Sequence, residues 1–290
     1  MRFLFLLILF CQERLQLVDM VEISIITINL NNKKGLETTI LSVANQTVND
    51  FEYIIIDGGS TDGSLEVIRD NASIISYWVS ETDRGIYHAI NKGINKANGR
   101  YLIFLNSGDC FYNTQSIENC LKKILSFPDS DIFYGDIRVV NDRNNLKKWY
   151  KKYPSNLSVE FFKNDTINHQ ASLIKKEIFY ELGFYPEKYN LASDYWLFLK
   201  CVFNNKKFKY LNFTMIDYDL SGVSGLNYKN YKVEMESIWQ TVVPAFVTKM
   251  LEESIAVQSL LNYRIIRYAI YINSKFQALI TFNYKKLLFP

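Results

Sequence analysis

Four short apolar runs alternate with helical patterns over the first 110 residues, and this alternation restricts the possible folds more than any other feature. The runs predict strands over residues 22–29, 52–56, 74–80 and 101–105. Strands separated by helices are typical of parallel βαβ units. The pattern therefore predicts an α/β fold with a mostly parallel central sheet flanked by helices. Such sheets bind ligands beyond the carboxyl ends of their strands.

Acidic residues follow three of these predicted strands. Asp57 comes after the second strand, Asp83 after the third and Asp109 after the fourth. Because the carboxyl ends of parallel strands meet at one edge of a sheet, we expect these side chains to converge there. One acid after a strand is unremarkable. Three acids after successive strands predict a shared ligand that carries hydrogen-bond donors and phosphates.

Composition excludes several classes of function. The net charge of the 290-residue chain is only +3, and no block of Lys or Arg is present, which argues against a nucleic-acid partner. The chain has two histidines and four scattered cysteines without a Cys-x-x-Cys spacing. A disulfide framework or a histidine-rich metal centre is therefore not expected, and any metal must be bound mainly by carboxylates.

The N-terminal extension, residues 1–19, is apolar. Met1–Phe10 resembles the start of a signal peptide, but residues 11–14 make a poor cleavage site. We expect the protein to begin at Met20, with a membrane-touching N-terminal helix as the alternative. No apolar run reaches the roughly 20 residues that span a bilayer. We expect a cytoplasmic protein, with peripheral contact at the inner face of the plasma membrane left open.

The pattern changes after residue 109. It predicts helices near 116–125, 176–182 and 195–203, and short strands near residues 138, 146, 208 and 215. From Tyr228 onward the chain is predicted to be mostly helical. We therefore expect a main domain over 20–220 and a helical C-terminal appendage over 221–290. The basic and aromatic stretch 263–272 suits either an interfacial helix on anionic lipid or a helix packed on the main domain.

Three ordered motifs, at residues 23–29, 56–63 and 105–109, resemble those of family 2 glycosyltransferases with the GT-A fold. Residues 81–93, Glu-Thr-Asp-Arg-Gly-Ile-Tyr-His-Ala-Ile-Asn-Lys-Gly, resemble the segment after strand three in capsule and O-antigen members. The resemblance covers about residues 22–220. It implies inverting transfer from a nucleotide-sugar donor, UDP-linked, to a glycan or lipid-linked acceptor in cell-surface polysaccharide biosynthesis.

The resemblance also assigns the nucleotide contacts. It implies that Asp57 binds the base and that Asp83 lies near the nucleotide. The first loop, around Ile28 and Asn29, would supply backbone contacts. The alternative for Asp57 is an ordinary turn aspartate before a glycine pair. Arg84 either reaches the nucleotide or is a solvated loop arginine.

The metal motif departs from the family pattern. Family members usually supply Asp-x-Asp for Mg²⁺ or Mn²⁺, which prefer oxygen ligands. Here residues 106–109 are Asn-Ser-Gly-Asp, so an amide and a glycine stand where the family has acids. We expect Asp109 to bind the metal and Asn106 to bind hydroxyls of the donor sugar or ribose. A helix cap or a turn is the alternative role for Asp109.

Residues 191–200, Leu-Ala-Ser-Asp-Tyr-Trp-Leu-Phe-Leu-Lys, resemble the family segment that presents the catalytic base at a helix start. Asp194 would accept the proton of the acceptor hydroxyl, and a simple helix N-cap is the alternative. His169, just before a predicted strand, is expected near the diphosphate, the metal or the acceptor cleft, or else in a structural role. His88 lies beside the apolar stripe of its helix and is expected to serve packing.

Two other functions stay open at this point. A sugar nucleotidyltransferase also uses a nucleotide-binding α/β half, but it would normally carry a glycine-rich loop with a basic residue after strand one. Residues 29–32, Asn-Leu-Asn-Asn, offer no such loop. A catalytically silent protein that binds nucleotide sugar or associates with a membrane is conceivable because the Asp-x-Asp motif is eroded.

Overall fold

The computed structural model describes residues 21–140, 148–220, 222 and 227–262, with side chains described up to residue 255. The strands of this part of the chain are β1 (Ile23–Asn29), β2 (Glu52–Asp57), β3 (Tyr77–Ser80), β4 (Tyr101–Phe104), β5 (Cys110–Phe111), β6 (Ile132–Val140), β7 (Trp149–Lys151), β8 (Ser172–Lys175) and β9 (Phe208–Asp219). They form one sheet in the order β3-β2-β1-β4-β8-β6-β9-β5, with β7 paired to β6.

The helices flank this sheet in sequence order. They are α1 (Lys33–Ala44), α2 (Ser64–Asp70), α3 (Ile86–Lys96), α4 (Ser116–Ser126), α5 (Val159–Asn164), α6 (Glu177–Leu182), α7 (Ser193–Phe203), α8 (Tyr228–Val242) and α9 (Ala245–Asn262). A short 3₁₀ turn covers Ala72–Ile74, so the third strand begins at Tyr77, later than predicted.

The parallel half of the sheet confirms the predicted fold class. Strands β3, β2, β1 and β4 are parallel neighbours. Their apolar side chains, such as Ile25, Ile54 and Ile103, are fully buried. Helices cover both faces of a sheet like this, so continuous apolar strands are the expected pattern. The βαβ units place the ends of four strands along one edge.

Helix α3 packs unusually close to the sheet. A Cβ atom at Gly93 would lie 2.4 Å from Cγ2 of Ile26 in β1, so only glycine fits there. Helix α1 is capped by Asn32, whose Oδ1 accepts from the Gly35 N–H over 3.2 Å. The Asn32 cap, directly after β1, places the first turn of α1 beside the carboxyl edge.

The second half of the sheet is mixed. Strand β8 pairs antiparallel with both β4 and β6, and β9 runs parallel to β6. The two strands predicted near residues 208 and 215 are one continuous strand, β9. Because β9 also pairs with β5, its end at Asp219 lies beside the loop that carries Asp109.

The chain divides into two compact units, and the boundary lies between Val242 and Val243. Helix α8 belongs to the first unit and contacts α7, although the sequence assigned residues after 220 to an appendage. Helix α9 lies in the second unit. Among the described helices, none combines the length and hydropathy of a bilayer-spanning segment. The N-terminal extension 1–19 and the stretch 263–272 lie outside the described residues.

Candidate active site

The carboxyl edge of the parallel strands is tied together by Asp57. This carboxylate is 0% exposed, and its Oδ1 accepts from Asn29 Nδ2 over 2.8 Å and from Ser60 Oγ over 2.6 Å. Its Oδ2 accepts from Ser80 Oγ over 2.6 Å and from the N–H groups of Gly59 and Ser60. Burial raises the pKa of Asp57, but these hydrogen bonds outweigh it and lower the pKa below its ordinary value.

These five hydrogen bonds occupy both oxygens of Asp57 and join the ends of β1, β2 and β3. Asn29 uses its other amide atom to accept from Ser107 Oγ over 2.8 Å. The Ile28 carbonyl accepts from both the N–H and the hydroxyl of Ser107. The first loop is therefore bound to the loop after β4. Ligand contacts by these residues stay predictions.

Asp83 lies at the same edge but keeps one oxygen open. Its Oδ1 contacts His88 Nδ1 at 2.9 Å and Lys92 Nζ at 2.6 Å. The side chain is only 9% exposed, and Oδ2 is buried without a hydrogen-bond partner among the residues that the structure describes. A Cβ on Gly58 would lie 3.4 Å from this Oδ2, so the oxygen faces the loop after β2. A buried acceptor without a donor is costly, which favours Asp83 as a ligand contact.

Asp109 and Asp219 form the other end of this edge. The Asp219 N–H donates to Asp109 Oδ1 over 2.9 Å. A Cβ at Gly108 would lie 3.1 Å from Asp219 Oδ2, so the two acids are adjacent in space. Burial, together with the charge of Asp219, raises the pKa of Asp109 to about 8, although hydrogen bonds from the Asp219 N–H and Gln170 act in the opposite direction.

This end of the edge fits a divalent cation with oxygen ligands. Two carboxylates are neighbours here, since Asp109 is buried and the charge of the half-buried Asp219 adds to the rise of its pKa. Asn106 Oδ1 is also buried without a partner in the described part of the chain. Across residues 21–140, 148–220 and 227–262, no three His, Cys, Asp or Glu side chains gather at one point. A cation here would therefore need amide oxygens or ligand oxygens as well.

Asp194 lies in the first turn of α7, next to Tyr87 of α3. Tyr87 Oη is 3.1 Å from Asp194 Oδ1 and 3.0 Å from the Leu191 carbonyl. Burial raises the pKa of Asp194 to about 6, and hydrogen bonds from the Tyr195 N–H and from Tyr87 limit the rise. A carboxylate with a pKa near neutrality is well suited to general-base catalysis.

The alternative N-cap role of this segment is not observed. Ala192 is the cap residue of α7, and no side chain makes a capping hydrogen bond there. The Ser193 hydroxyl donates to the Pro186 carbonyl over 2.6 Å instead. The Asp194 carboxylate is therefore held by the Tyr195 N–H of its own helix and by the Tyr87 hydroxyl on α3.

The comparisons with known proteins identify the family. The model of glycosyl transferase family 2 matches residues 24–193. The chain belongs to this family. It is 31% identical over 184 residues to the PGL/p-HBAD biosynthesis glycosyltransferase of Mycobacterium bovis, which covers 62% of this chain and 70% of that protein.

Solved structures show that this glycosyltransferase has the GT-A fold. TarS 1–349 of S. aureus superimposes with a TM-score of 0.59 at 17% identity, over 79% of this chain and 68% of that one. Its complex with UDP-GlcNAc gives a TM-score of 0.57 at 18% identity, over 68% and 58%. The mannosyltransferase PcManGT of Pyrobaculum calidifontis, in complex with GDP-Man and Mn²⁺, gives 0.50 at 13% identity, over 89% and 81%.

Two predicted ligand residues of this glycosyltransferase make other contacts in the structure. His169 Nε2 lies 2.7 Å from Tyr185 Oη, and the ring stacks on Phe104 with centroids 4.5 Å apart. Burial lowers the pKa of His169 to about 3, so the ring is neutral. Arg84, 71% exposed, binds Glu187 through two guanidinium nitrogens. Both environments match the structural alternatives, and ligand roles for these two residues stay predictions.

Several neighbours of the candidate site residues were missed. His88 was expected to serve packing, and the structure adds a contact of its Nδ1 with Asp83. Its spacing from Lys92, four residues apart on α3, was a usable signal because such residues share a helix face. Asp219 is 110 residues from Asp109, and no local pattern connects the two positions.

Proposed function

We propose that this glycosyltransferase moves a sugar from a UDP-sugar to a hydroxyl of a glycan or lipid-linked acceptor, with inversion at the anomeric carbon, in cell-surface polysaccharide biosynthesis. The observation that carries the proposal is Asp194, a half-buried carboxylate with a pKa of about 6 at the start of α7. The TarS complex with UDP-GlcNAc and the relative named for PGL/p-HBAD biosynthesis support the donor and the biosynthetic role.

In the proposed reaction Asp194 accepts the proton of the acceptor hydroxyl as its oxygen forms a bond to the anomeric carbon. The bond from that carbon to the diphosphate oxygen breaks, and the nucleoside diphosphate leaves with the electron pair. Attack from the face opposite the diphosphate inverts the configuration. Because Asp194 is largely ionised above about pH 6, it can take up this proton at neutral pH.

Charge on the departing diphosphate needs a positive partner. Asp109, Asp219 and the amide oxygen of Asn106 would hold Mg²⁺ or Mn²⁺, and the cation would supply that charge. The Mn²⁺-containing complex of PcManGT supports this cofactor. The adjacency of the two acids and the open Asn106 oxygen are the features of this chain that favour it.

The open Oδ2 of Asp83 supports an N–H donor on the ligand, and the imide N–H of uracil supplies one. Asn29 and Asp57 would shape the loop that receives the base, since their side chains already bind each other. Ile28 and Arg84 would contact the nucleotide from the rim of the site. His169 would lie near the diphosphate, the metal or the acceptor cleft, in the second half of the domain.

The test combines binding and turnover. Thermal unfolding with UDP, GDP, CDP and TDP, each with and without Mn²⁺, should show a Mn²⁺-dependent rise with UDP that Asp109→Asn removes. Asp194→Asn should keep this rise but lose sugar transfer to panels of glycan and lipid-linked acceptors. Retained transfer by Asp194→Asn would refute the role of the base. Donor binding by the unaltered protein without transfer to any acceptor would favour a silent binding protein.

A further inference from the structure

One carboxylate on α8 binds the loop that leads to Asp194. Glu234 Oε1 accepts from the N–H of Asn190 over 3.0 Å. Its Oε2 accepts from the N–H groups of Leu191 and Ala192 over 2.9 and 3.0 Å. Three consecutive backbone donors on one carboxylate form a charge-assisted anchor, which is stronger than the same number of neutral hydrogen bonds.

Part of this loop borders open space on the α8 side. A cavity of about 450 Å³ borders it there, lined by Asn190, Leu191, Val233 and Glu234 together with Asn227 and Asn230. The Glu234 hydrogen bonds link the loop to α8 beside this cavity.

Tyr87 holds the same loop from the opposite side. Its hydroxyl lies 3.0 Å from the Leu191 carbonyl and 3.1 Å from Asp194 Oδ1. A phenol has one proton, so it donates to one of these oxygens at a time. The position of residue 191, which Glu234 fixes through its N–H, therefore decides how Tyr87 meets the Asp194 carboxylate.

We propose that Glu234 is a positioning residue for catalysis, which fixes residues 190–192 and through them the carboxylate of Asp194. The inference rests on the proposed role of Asp194 as the base. It also makes α8 part of the catalytic unit, in line with the compact unit that ends at Val242.

Titratable groups face Asp194 from three directions: Tyr87 on α3, Tyr185 in the loop before α7, and Tyr231 and Glu234 on α8. Burial raises the pKa of Asp194, and the negative charge of Glu234, a carboxylate among phenols, raises it further. The hydrogen bond from Tyr87 lowers it. Removing the charge of Glu234 and removing the hydroxyl of Tyr87 should therefore shift the pKa of Asp194 in opposite directions.

The experiment compares Glu234→Gln, Tyr87→Phe and the control Glu236→Gln in the full chain. Glu236 lies on the same helix but binds Lys163 at 3.1 Å. Turnover is followed as UDP release from whichever of UDP-glucose, UDP-galactose and UDP-GlcNAc is used fastest. We expect Glu234→Gln to lower kcat about tenfold or more, with the donor KM within about twofold, since small displacements of a catalytic group have effects of this size.

The pH profile of kcat/KM separates positioning from general destabilisation. We expect the acid limb to move to lower pH by about half a pH unit in Glu234→Gln, which is the effect of removing one partly screened charge. In Tyr87→Phe it should move to higher pH. Glu236→Gln should match the unaltered protein. Glu234→Asp keeps the charge but has a shorter side chain, so kcat should fall while the acid limb stays at the same pH. This variant replaces Glu234→Gln in the test if Glu234→Gln does not fold.

Two results would be decisive against parts of this scheme. If Glu234→Gln keeps the kcat and acid limb of the unaltered protein while Asp194→Asn loses turnover, the positioning role is wrong and the base stands. If Asp194→Asn itself keeps turnover, the proposed function is wrong first. Faster amide exchange at residues 190–192 in Glu234→Gln, with the rest of the chain unchanged, would support the anchor directly.

Discussion

Replacing Asp194 by Asn should remove turnover and, at neutral pH, make the protein more stable. Burial raises the pKa of this carboxyl from 3.8 to about 6, so the folded protein resists ionising a group that ionises freely in the unfolded chain. Asparagine has nearly the same shape, stays neutral at all pH values, and can still accept the Tyr87 hydrogen bond through its Oδ1. The substitution should therefore keep the Tyr87 contact and remove the cost of the charge.

The magnitude follows from the pKa shift. Each pKa unit corresponds to about 1.4 kcal/mol, so a rise from 3.8 to about 6 is equivalent to about 3 kcal/mol at neutral pH. Because the pKa of Asp194 is raised in the folded protein, its carboxyl group costs no stability below about pH 4, where it is neutral in both states. The free energy of unfolding then falls as the pH rises through about 6. The advantage of Asp194→Asn should thus grow by about 2 kcal/mol between pH 4.5 and pH 7.

Urea unfolding of both proteins at several pH values between 4.5 and 8 measures this difference as a free energy of unfolding. Asp70→Asn is the matched control because Asp70 is an exposed acid at the end of α2, where the same change should give no comparable gain. A variant less stable than the unaltered protein at pH 7, or a difference that does not change with pH, would show that Asp194 is not held in a desolvating site.

Three further predictions concern the same edge of the sheet. The kcat/KM for sugar transfer should rise with pH through about 6 and then level off, because Asp194 must be deprotonated to act; a profile that is flat between pH 5 and 8 would contradict this. Asp83→Asn should weaken UDP binding about tenfold in calorimetry while CDP binding changes less, since only uracil offers an imide N–H to this position. Asp57→Asn should cost about 2 to 4 kcal/mol in urea unfolding, because an amide cannot accept five hydrogen bonds; a loss below about 1 kcal/mol would show that the loops do not depend on it.

The parallel half of the fold could be predicted from the sequence because its signals are local. Strand β2 has apolar side chains on both faces, and the cap of α1 at Asn32 precedes its helix directly. Strand ends in a parallel sheet share an edge, so the grouping of Asp57, Asp83 and Asp109 also followed from the order of the elements. The mixed half was harder to predict. Strand β9 looks like two strands in the sequence, and its shift in register against β6 is visible only from the pairing of the two strands.

The roles within the site were less predictable because they depend on contacts between distant residues. Whether an acid is saturated, as Asp57 is, or keeps an open oxygen, as Asp83 does, depends on serines, a histidine and a lysine in other elements. His169 shows the same limit, since only the packed rings around it distinguish a buried structural histidine from a ligand. Composition and spacing cannot report which partner a side chain has reached.

The backbone at Gly108 connects two features of this chain. One is the departure of residues 106–109 from the family motif, and the other is the position of Asp219. Gly108 has a φ of +107°, a conformation that side-chain-bearing residues rarely adopt. A Cβ there would lie 3.1 Å from Asp219 Oδ2, so an acid at position 108 and the carboxylate of Asp219 would compete for the same space. The glycine therefore makes room for an acid delivered by the end of β9. The chain keeps two carboxylates at this edge, and in the proposed metal site Asp219 would supply the acid that the motif lacks.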